Sequence, residues 1–166
     1  IQMPIRFFLL IMRGTPLILQ LYGFYFGLYY VAGLSLDRMT AAVISFSLNY
    51  AAYFAEIYRS GIEAVPKGQY EAAAVLGYSR TQTFVRIIFP QMVKIVLPPV
   101  TNEVITLVKD TSLAFALAYT EMFTLAKQIA AAQTSIMPLF VAGLFYYIFN
   151  FVVAYGMEKL ENKMKY

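Results

Sequence analysis

The sequence contains no cysteine and no histidine, and only 13% of its 166 residues are charged. Without cysteine or histidine there is no disulfide, no thiol nucleophile, no imidazole acid-base catalyst and no metal site built from those ligands. The net charge of +4 is small, and the basic residues are too scattered to form the positive surface that nucleic acids require. These absences exclude many classes of enzyme and argue against a nucleic-acid-binding protein.

The composition is instead dominated by apolar residues. They make up 60% of the chain, against about 45–50% in soluble domains, and the mean hydropathy is +0.63. A helix that crosses a bilayer needs about 20 mostly apolar residues. We therefore predict an all-α, polytopic membrane protein of one domain with four spans, at residues 14–36, 39–58, 92–108 and 134–157. Residues 111–132 are mixed in character and are expected to form an external or re-entrant helical segment.

The basic residues are distributed unevenly between the two sides of this arrangement. If the loop at residues 62–91 is cytoplasmic, ten of the 13 basic residues lie inside and three lie outside. This asymmetry follows the positive-inside rule and places the C-terminus in the cytoplasm. The inside set is Arg6, Arg13, Arg59, Lys67, Arg80, Arg86, Lys94, Lys159, Lys163 and Lys165; the outside set is Arg38, Lys109 and Lys127.

The loop at residues 62–91 is amphipathic and too polar to cross the membrane. Its pattern predicts a short helix at residues 69–76 that ends at Gly77 as the C′ residue. Ser79 is expected to cap a second helix at residues 80–88, and the following proline opens the third span. On periodicity alone, an ordinary amphipathic loop on lipid headgroups is an equally good interpretation.

The same loop resembles the EAA loop of ABC importer transmembrane subunits. That family pattern is E-A-A, three residues, Gly, nine residues and I-x-L-P. This sequence has Glu71-Ala72-Ala73, then Gly77, then Ile87-Ile88-Phe89-Pro90, with Phe89 in place of Leu as the one departure. Residues 13–17, 55–62, 65–69 and 109–113 are similar to segments of the polar amino acid permeases within that family. The resemblance extends from about residue 13 to the C-terminus.

The resemblance implies the permease subunit of a type I ABC importer in the cytoplasmic (inner) membrane of a bacterium. Its implied partners are a cytoplasmic ABC ATPase dimer, a second permease subunit and an extracytoplasmic amino-acid-binding protein. The chain has no G-x-x-x-x-G-K-[ST] motif, so we expect no catalytic site here and no cofactor in this chain, with ATP and Mg bound by the partner ATPase. Family members usually have one further span upstream, which leads us to expect a missing upstream segment. The implied ATPase-coupling residues are Tyr70, Glu71, Ala72, Ala73, Ala74 and Gly77.

Ionisable residues within predicted spans identify the candidate substrate site. A charge at the bilayer centre costs about 2.5–3.5 kcal/mol on insertion scales, and Glu103 lies near the middle of the third span. Its carboxylate suits the ammonium or guanidinium of a cationic amino acid, although a structural pair or a protonated glutamate is the alternative. The predicted substrate-binding residues are Glu103, Asn102, Thr106, Pro99, Asn49, Tyr53 and Glu121. For Glu121 the alternative is a solvated or helix-capping charge, and Glu56 is expected to pair with Arg59 or with the coupling loop.

The runs Thr101-Asn102-Glu103-Val104 and Thr111-Ser112-Leu113-Ala114-Phe115 look like the histidine/lysine/arginine permeases in particular. The resemblance therefore implies the import of polar, basic amino acids by alternating access. Alternative functions are a permease for neutral or acidic polar amino acids such as glutamine, a passive channel, and a membrane scaffold. No metal site is expected.

Overall fold

The structure, a computed structural model, describes residues 2–164, and over this range the chain is helical without a β-strand. The prediction of an all-α fold is confirmed. Lys165, one of the residues assigned to the cytoplasmic side, lies outside the described residues. The seven helices of this range are α1 (Gln2–Gly14), α2 (Leu17–Ala32), α3 (Arg38–Glu63), α4 (Lys67–Val75), α5 (Arg80–Leu117), α6 (Met122–Gln133) and α7 (Met137–Met164).

The first predicted span does not begin as a continuous helix. Helix α1 ends at Gly14, and the chain turns by 111° before α2 starts at Leu17. Pro16 has extended backbone angles, with φ −59° and ψ 136°. Proline has no N–H to continue the helical ladder, and it disfavours helical geometry at the residue before it. Residues 14–16 therefore form a bend that hydropathy alone did not predict.

Helix α5 continues across the predicted boundary between the loop at residues 62–91 and the third span. Residues 80–117 form one continuous helix, whereas we expected a loop to residue 91 and a span at 92–108. A π-helical turn at Phe84–Ile88 precedes Pro90. Pro90, which has no backbone N–H to donate, lies just after this wider turn, where the α-helical hydrogen-bond pattern is already interrupted. Pro90 thus follows a change of helical geometry within α5, and no new helix begins at this residue.

Local capping explains most of the other ends. Asp37 caps α3 by accepting from the backbone N–H groups of Met39 at 3.0 Å and Thr40 at 3.1 Å. Ser79 forms a capping box with Gln82: the Gln82 N–H donates to Ser79 Oγ, and the Ser79 N–H donates to Gln82 Oε1 at 2.9 Å. The predicted cap at Ser79 is therefore confirmed.

Within residues 2–164, α5 and α7 are long and apolar enough to cross a membrane by length and composition. A third span results if the bent pair α1 and α2 counts as one. Helix α3, which contains the predicted span at 39–58, does not pass this test. Its polar stripe, which includes Asn49 and Glu56, lowers its hydropathy. The number of spans and the position of the loop therefore stay predictions.

Two small apolar clusters hold the helices together. One joins α2, α3 and α5 through Leu21, Ala41, Ala42 and Leu117. The other joins the loop after α3 to α5 through Val65, Ile88, Met92 and Val96. In contrast, residues 137–157 of α7 carry no charge and are mostly apolar on every side, and Ala142 is the one buried residue of residues 137–164. A helix that is apolar on all faces belongs in a membrane or in a larger assembly.

Candidate functional site

A cavity of about 460 Å³ lies where the bend after α1 faces α3 and α5. This volume falls in the range of about 300–1,000 Å³ that small-molecule sites occupy. Three of its lining residues are charged, namely Arg13, Glu103 and Asp110. The rest of the wall is formed by Gly14, Thr15, Pro16, Leu17, Asn49, Tyr50, Tyr53 and Thr106.

Four of the seven predicted substrate residues line this cavity. Asn49 and Tyr53 come from α3, and Glu103 and Thr106 come from α5. The i, i+4 spacing in α3 and the i, i+3 spacing in α5 put each pair on one helix face. Sequence spacing therefore predicted which residues of each helix share a face, and the packing of α3 on α5 brings the two faces together.

The other three predicted substrate residues lie elsewhere. Asn102 is exposed, and Pro99 is partly buried, but neither is part of the cavity wall. Glu121 is the N-cap of α6, where its carboxylate accepts from the N–H groups of Phe123 and Thr124 at 2.6 Å each. Tyr146 donates to it from α7 at 3.4 Å. The structure therefore agrees with the alternative interpretation of Glu121 as a helix-capping charge.

The bend at residues 14–16 is held by two buried amides. The Gln20 side chain donates to the carbonyl oxygens of Met12 at 2.8 Å and Thr15 at 3.1 Å. The Asn49 side chain donates to the same Met12 carbonyl at 3.0 Å and to Gln20 Oε1 at 3.0 Å. The last carbonyls of a helix have no partner within it, and these amides supply partners. Asn49 thus supports the cavity wall through its backbone contact in addition to lining it.

Two acidic residues face this cavity, and only one was predicted. Asp110 accepts a hydrogen bond from the Tyr50 hydroxyl at 2.8 Å across 60 residues of sequence. Glu103, in the same cavity wall, has no hydrogen-bond partner among the described residues. Asp110, Tyr50 and Arg13 were missed as site residues because their side chains meet through long-range packing. Asp110 did occur within one of the segments that resemble amino acid permeases.

A charged cluster borders the cavity on its other side. Glu56 is held by Arg59, whose Nε and terminal nitrogen donate to the two carboxylate oxygens at 3.0 and 2.5 Å. Arg59 also donates to Glu63 at 2.6 Å. The predicted pairing of Glu56 with Arg59 is confirmed. Arg13 approaches the same Glu56 with a nitrogen–oxygen distance of 3.7 Å, so the cluster connects α1 to α3.

The short helix α4 carries the predicted coupling residues. Tyr70, Glu71, Ala72 and Ala74 are exposed, whereas Ala73 is fully buried against the rest of the chain. Ala73 therefore seats α4 on its own subunit. Helix α4 ends in a Schellman motif: the Tyr78 N–H donates to Ala73 O, and the Gly77 N–H donates to Ala74 O, each at 3.0 Å. Gly77 has φ +77°, which confirms it as the C′ residue.

No cluster of metal-ligating side chains that could hold a metal ion occurs in the part of the chain that the structure describes. The charged and polar groups of the cavity can instead bind a small zwitterionic or cationic molecule. Carboxylates pair with cations, and a guanidinium pairs with an anion.

The chain is similar to several known proteins. The arginine transport system permease protein ArtQ of Bacillus subtilis (strain 168) is 39% identical over 160 residues, covering 96% of this chain and 73% of that protein. The putative glutamine transport system permease protein GlnP of Rickettsia felis is 38% identical, covering 96% and 73%. A solved structure described as the crystal structure of an amino acid ABC transporter with histidines matches with a TM-score of 0.85 at 30% identity, covering 94% of this chain and 73% of that chain.

Permease subunits of this kind are not catalytic, and the ATPase is a separate subunit, as the sequence predicts. The family model described as the binding-protein-dependent transport system inner membrane component matches residues 1–166. This chain therefore belongs to the family of inner membrane components of binding-protein-dependent transport systems.

Proposed function

We propose that this chain is the permease subunit of an ATP-driven importer that carries cationic amino acids across the cytoplasmic membrane of a bacterium. The observation that carries the proposal is the charge of the cavity, which has two carboxylates, Glu103 and Asp110, against one guanidinium, Arg13. A wall with an excess of negative charge favours a ligand with an excess of positive charge. Arginine, lysine and histidinium meet this requirement, and the names of ArtQ and of the histidine-bound transporter point to the same class.

Glu103 is the residue that pairs with the cationic side chain of the substrate. An ionised carboxylate within a span is costly unless it is compensated, and a bound cation compensates it. Thr106 lies one turn along α5 from Glu103 as a hydroxyl donor and acceptor, and Tyr53 forms part of the same cavity wall. These groups bind and orient the substrate, and they form no covalent bond with it.

The energy for transport comes from partners in this proposal. A cytoplasmic ATPase dimer, which binds ATP and Mg, contacts the exposed face of α4 at Tyr70, Glu71, Ala72 and Ala74. A second permease subunit completes the pathway, and an extracytoplasmic binding protein delivers the amino acid. Closure of the ATPase dimer then moves α4 and the attached α5, so that the helices alternate between two arrangements. The C-terminus lies in the cytoplasm.

The replacement Glu103→Gln tests the proposal in the assembled importer reconstituted in vesicles. Removing one partner of a desolvated charge pair costs about 2–5 kcal/mol, so uptake of arginine or lysine should fall by more than tenfold. Uptake of neutral polar amino acids should change much less. Glu121→Gln is the matched control because it removes the same charge at the α6 N-cap, outside the cavity, and it should leave the preference between substrates unchanged.

Equal losses for cationic and neutral substrates in Glu103→Gln would show that Glu103 is structural. The second candidate is a permease for neutral amino acids, which the similarity to GlnP favours; wild-type uptake of glutamine without arginine would select it. Flux without ATP would indicate a channel. No flux with the binding protein and the ATPase present would indicate a scaffold.

A further inference from the structure

We infer that Arg13 binds the carboxylate of the transported amino acid, a role that rests on the proposed function of this cavity. Every amino acid carries a carboxylate whatever its side chain, so a site for amino acids needs a group of opposite charge in addition to a side-chain pocket. Among the described residues that line the cavity, Arg13 is the one cation.

The position of Arg13 is defined by the bend. It is in the last turn of α1, next to the carbonyls that Gln20 and Asn49 hold. Its guanidinium lies over the Tyr53 ring, 5.7 Å from the ring centre. A planar guanidinium on an aromatic face is restricted in its orientation, so less conformational freedom is lost when it binds a ligand.

The hydrogen-bonding capacity of Arg13 is also available. Its contact with Glu56 is an ion pair at 3.7 Å, longer than a hydrogen bond. The two oxygens of Glu56 already accept from Arg59. The guanidinium of Arg13 makes no hydrogen bond to any residue in 2–164, although it has five N–H donors. A carboxylate in the cavity can therefore take a two-bond contact that Glu56 does not provide.

Arg13 lines two neighbouring cavities. It lines the substrate cavity, and it lines a second cavity of about 660 Å³ together with Arg6, Glu56, Arg59 and Glu63. Arg13 thus holds the carboxylate end of the substrate, while Glu103 in the other wall holds the cationic end. A ligand without a carboxylate has only one of these two contacts.

The test compares arginine with agmatine, which keeps the guanidinium and the amine and lacks the carboxylate. Equilibrium binding is measured by calorimetry on the assembled permease–ATPase complex in nanodiscs, without the binding protein, so that delivery does not set the specificity. We expect the wild type to bind arginine at least tenfold more tightly than agmatine. Arg13→Gln should weaken arginine binding tenfold or more and leave agmatine binding equal or tighter.

Glu56→Gln is the control for a purely structural role of Arg13. It breaks the ion pair of Arg13 while the guanidinium stays, so arginine binding should remain within twofold of wild type. The inference is overturned if Glu56→Gln reproduces the loss seen in Arg13→Gln, or if Arg13→Gln loses arginine and agmatine equally. If Arg13→Gln does not assemble, Arg13→Lys keeps the charge without the planar fork and should weaken arginine binding selectively; equal effects on both ligands overturn the inference there too.

The outcome also separates this inference from the proposed function. If the wild type binds glutamine and no cationic amino acid, the cationic substrate is wrong. The same variants are then compared with glutamine and with glutaminamide, whose carboxylate is replaced by an amide. A selective loss of glutamine binding in Arg13→Gln still supports the role of Arg13, and an equal loss of both ligands overturns it.

Discussion

Replacing Gly61 by alanine should disrupt the crossing of α3 and α5, which holds the two main walls of the cavity together. A Cβ atom on Gly61 would lie 2.1 Å from Val96 Cγ1 and 3.4 Å from Met92 Cγ. The first distance is at least about 1.4 Å below ordinary carbon–carbon contact. Val96 is buried, and a valine in a helix has one strongly preferred rotamer, so the side chain cannot turn away. The helices must separate instead.

The size of the effect follows from this overlap. Overpacking of a core costs about 1–3 kcal/mol, which corresponds to a fall in melting temperature of roughly 2–12 °C for a chain of this size. Val96→Ala removes the overlapping methyl group, and by itself it costs about 1.5–3 kcal/mol through lost burial and a small void. In the double variant the alanine at 61 occupies part of that void. The two changes should therefore show a favourable coupling of about 1–3 kcal/mol.

The assay is thermal unfolding of the purified complex in detergent, for wild type, both single variants and the double variant. Gly143→Ala in α7 is the matched control, since nothing lies within 4 Å of its added Cβ, and it should not lower the melting temperature. If the effects of Gly61→Ala and Val96→Ala simply add, the two residues do not share a contact, and the described crossing of α3 and α5 is refuted.

Three further predictions concern helix α4, the bend and the topology. Gly77→Val should weaken ATPase association or uncouple ATP hydrolysis at a backbone cost of about 1 kcal/mol or more, and Gly77→Asn, which tolerates φ > 0 better, should retain coupling; normal uptake with the valine variant would refute the assignment of α4. Gln20→Leu leaves the Thr15 carbonyl without its side-chain donor and removes an acceptor of Asn49, so it should destabilise the protein by about 1–3 kcal/mol in thermal unfolding, and Asn49→Leu should act in the same direction; no change would show that these amides do not hold the bend. Lys67→Cys and Lys163→Cys should both react with a reagent applied from the cytoplasmic side, and labelling from opposite sides would overturn the topology.

The features that were predictable from sequence depend on neighbouring residues. The Ser79 cap and the Gly77 C′ position need only a few adjacent groups, and short-range stereochemistry determines them. The helix faces that carry Glu103 with Thr106 and Asn49 with Tyr53 follow from helical periodicity in the same way.

The features that were missed are of two kinds. Some depend on contacts between residues far apart in sequence, and one depends on a proline within an apolar run. Tyr50 meets Asp110 across 60 residues, and Asn49 meets Met12 across 37; no spacing rule connects such pairs. The bend at Pro16 is different, because its signal was present in the sequence. The apolar run from residue 14 to 36 favoured one straight span. Proline lacks the N–H that would continue the helix, and the buried amides bond to the carbonyls at the bend, so the chain turns there instead.

The π-helical turn at Phe84–Ile88 affects how the loop that contains α4 is oriented. Each residue of an α-helix advances the chain by about 100° around the axis, and a π-helical turn contains one residue more than an α-helical turn. Everything before residue 84 is therefore rotated by roughly 100° about the axis of α5 compared with an uninterrupted helix. A deletion of one residue at this turn would point α4 toward a different side of the subunit with every residue of α4 unchanged. The rotational phase of the loop is thus set by the length of one helical turn, separately from the residues that the loop presents.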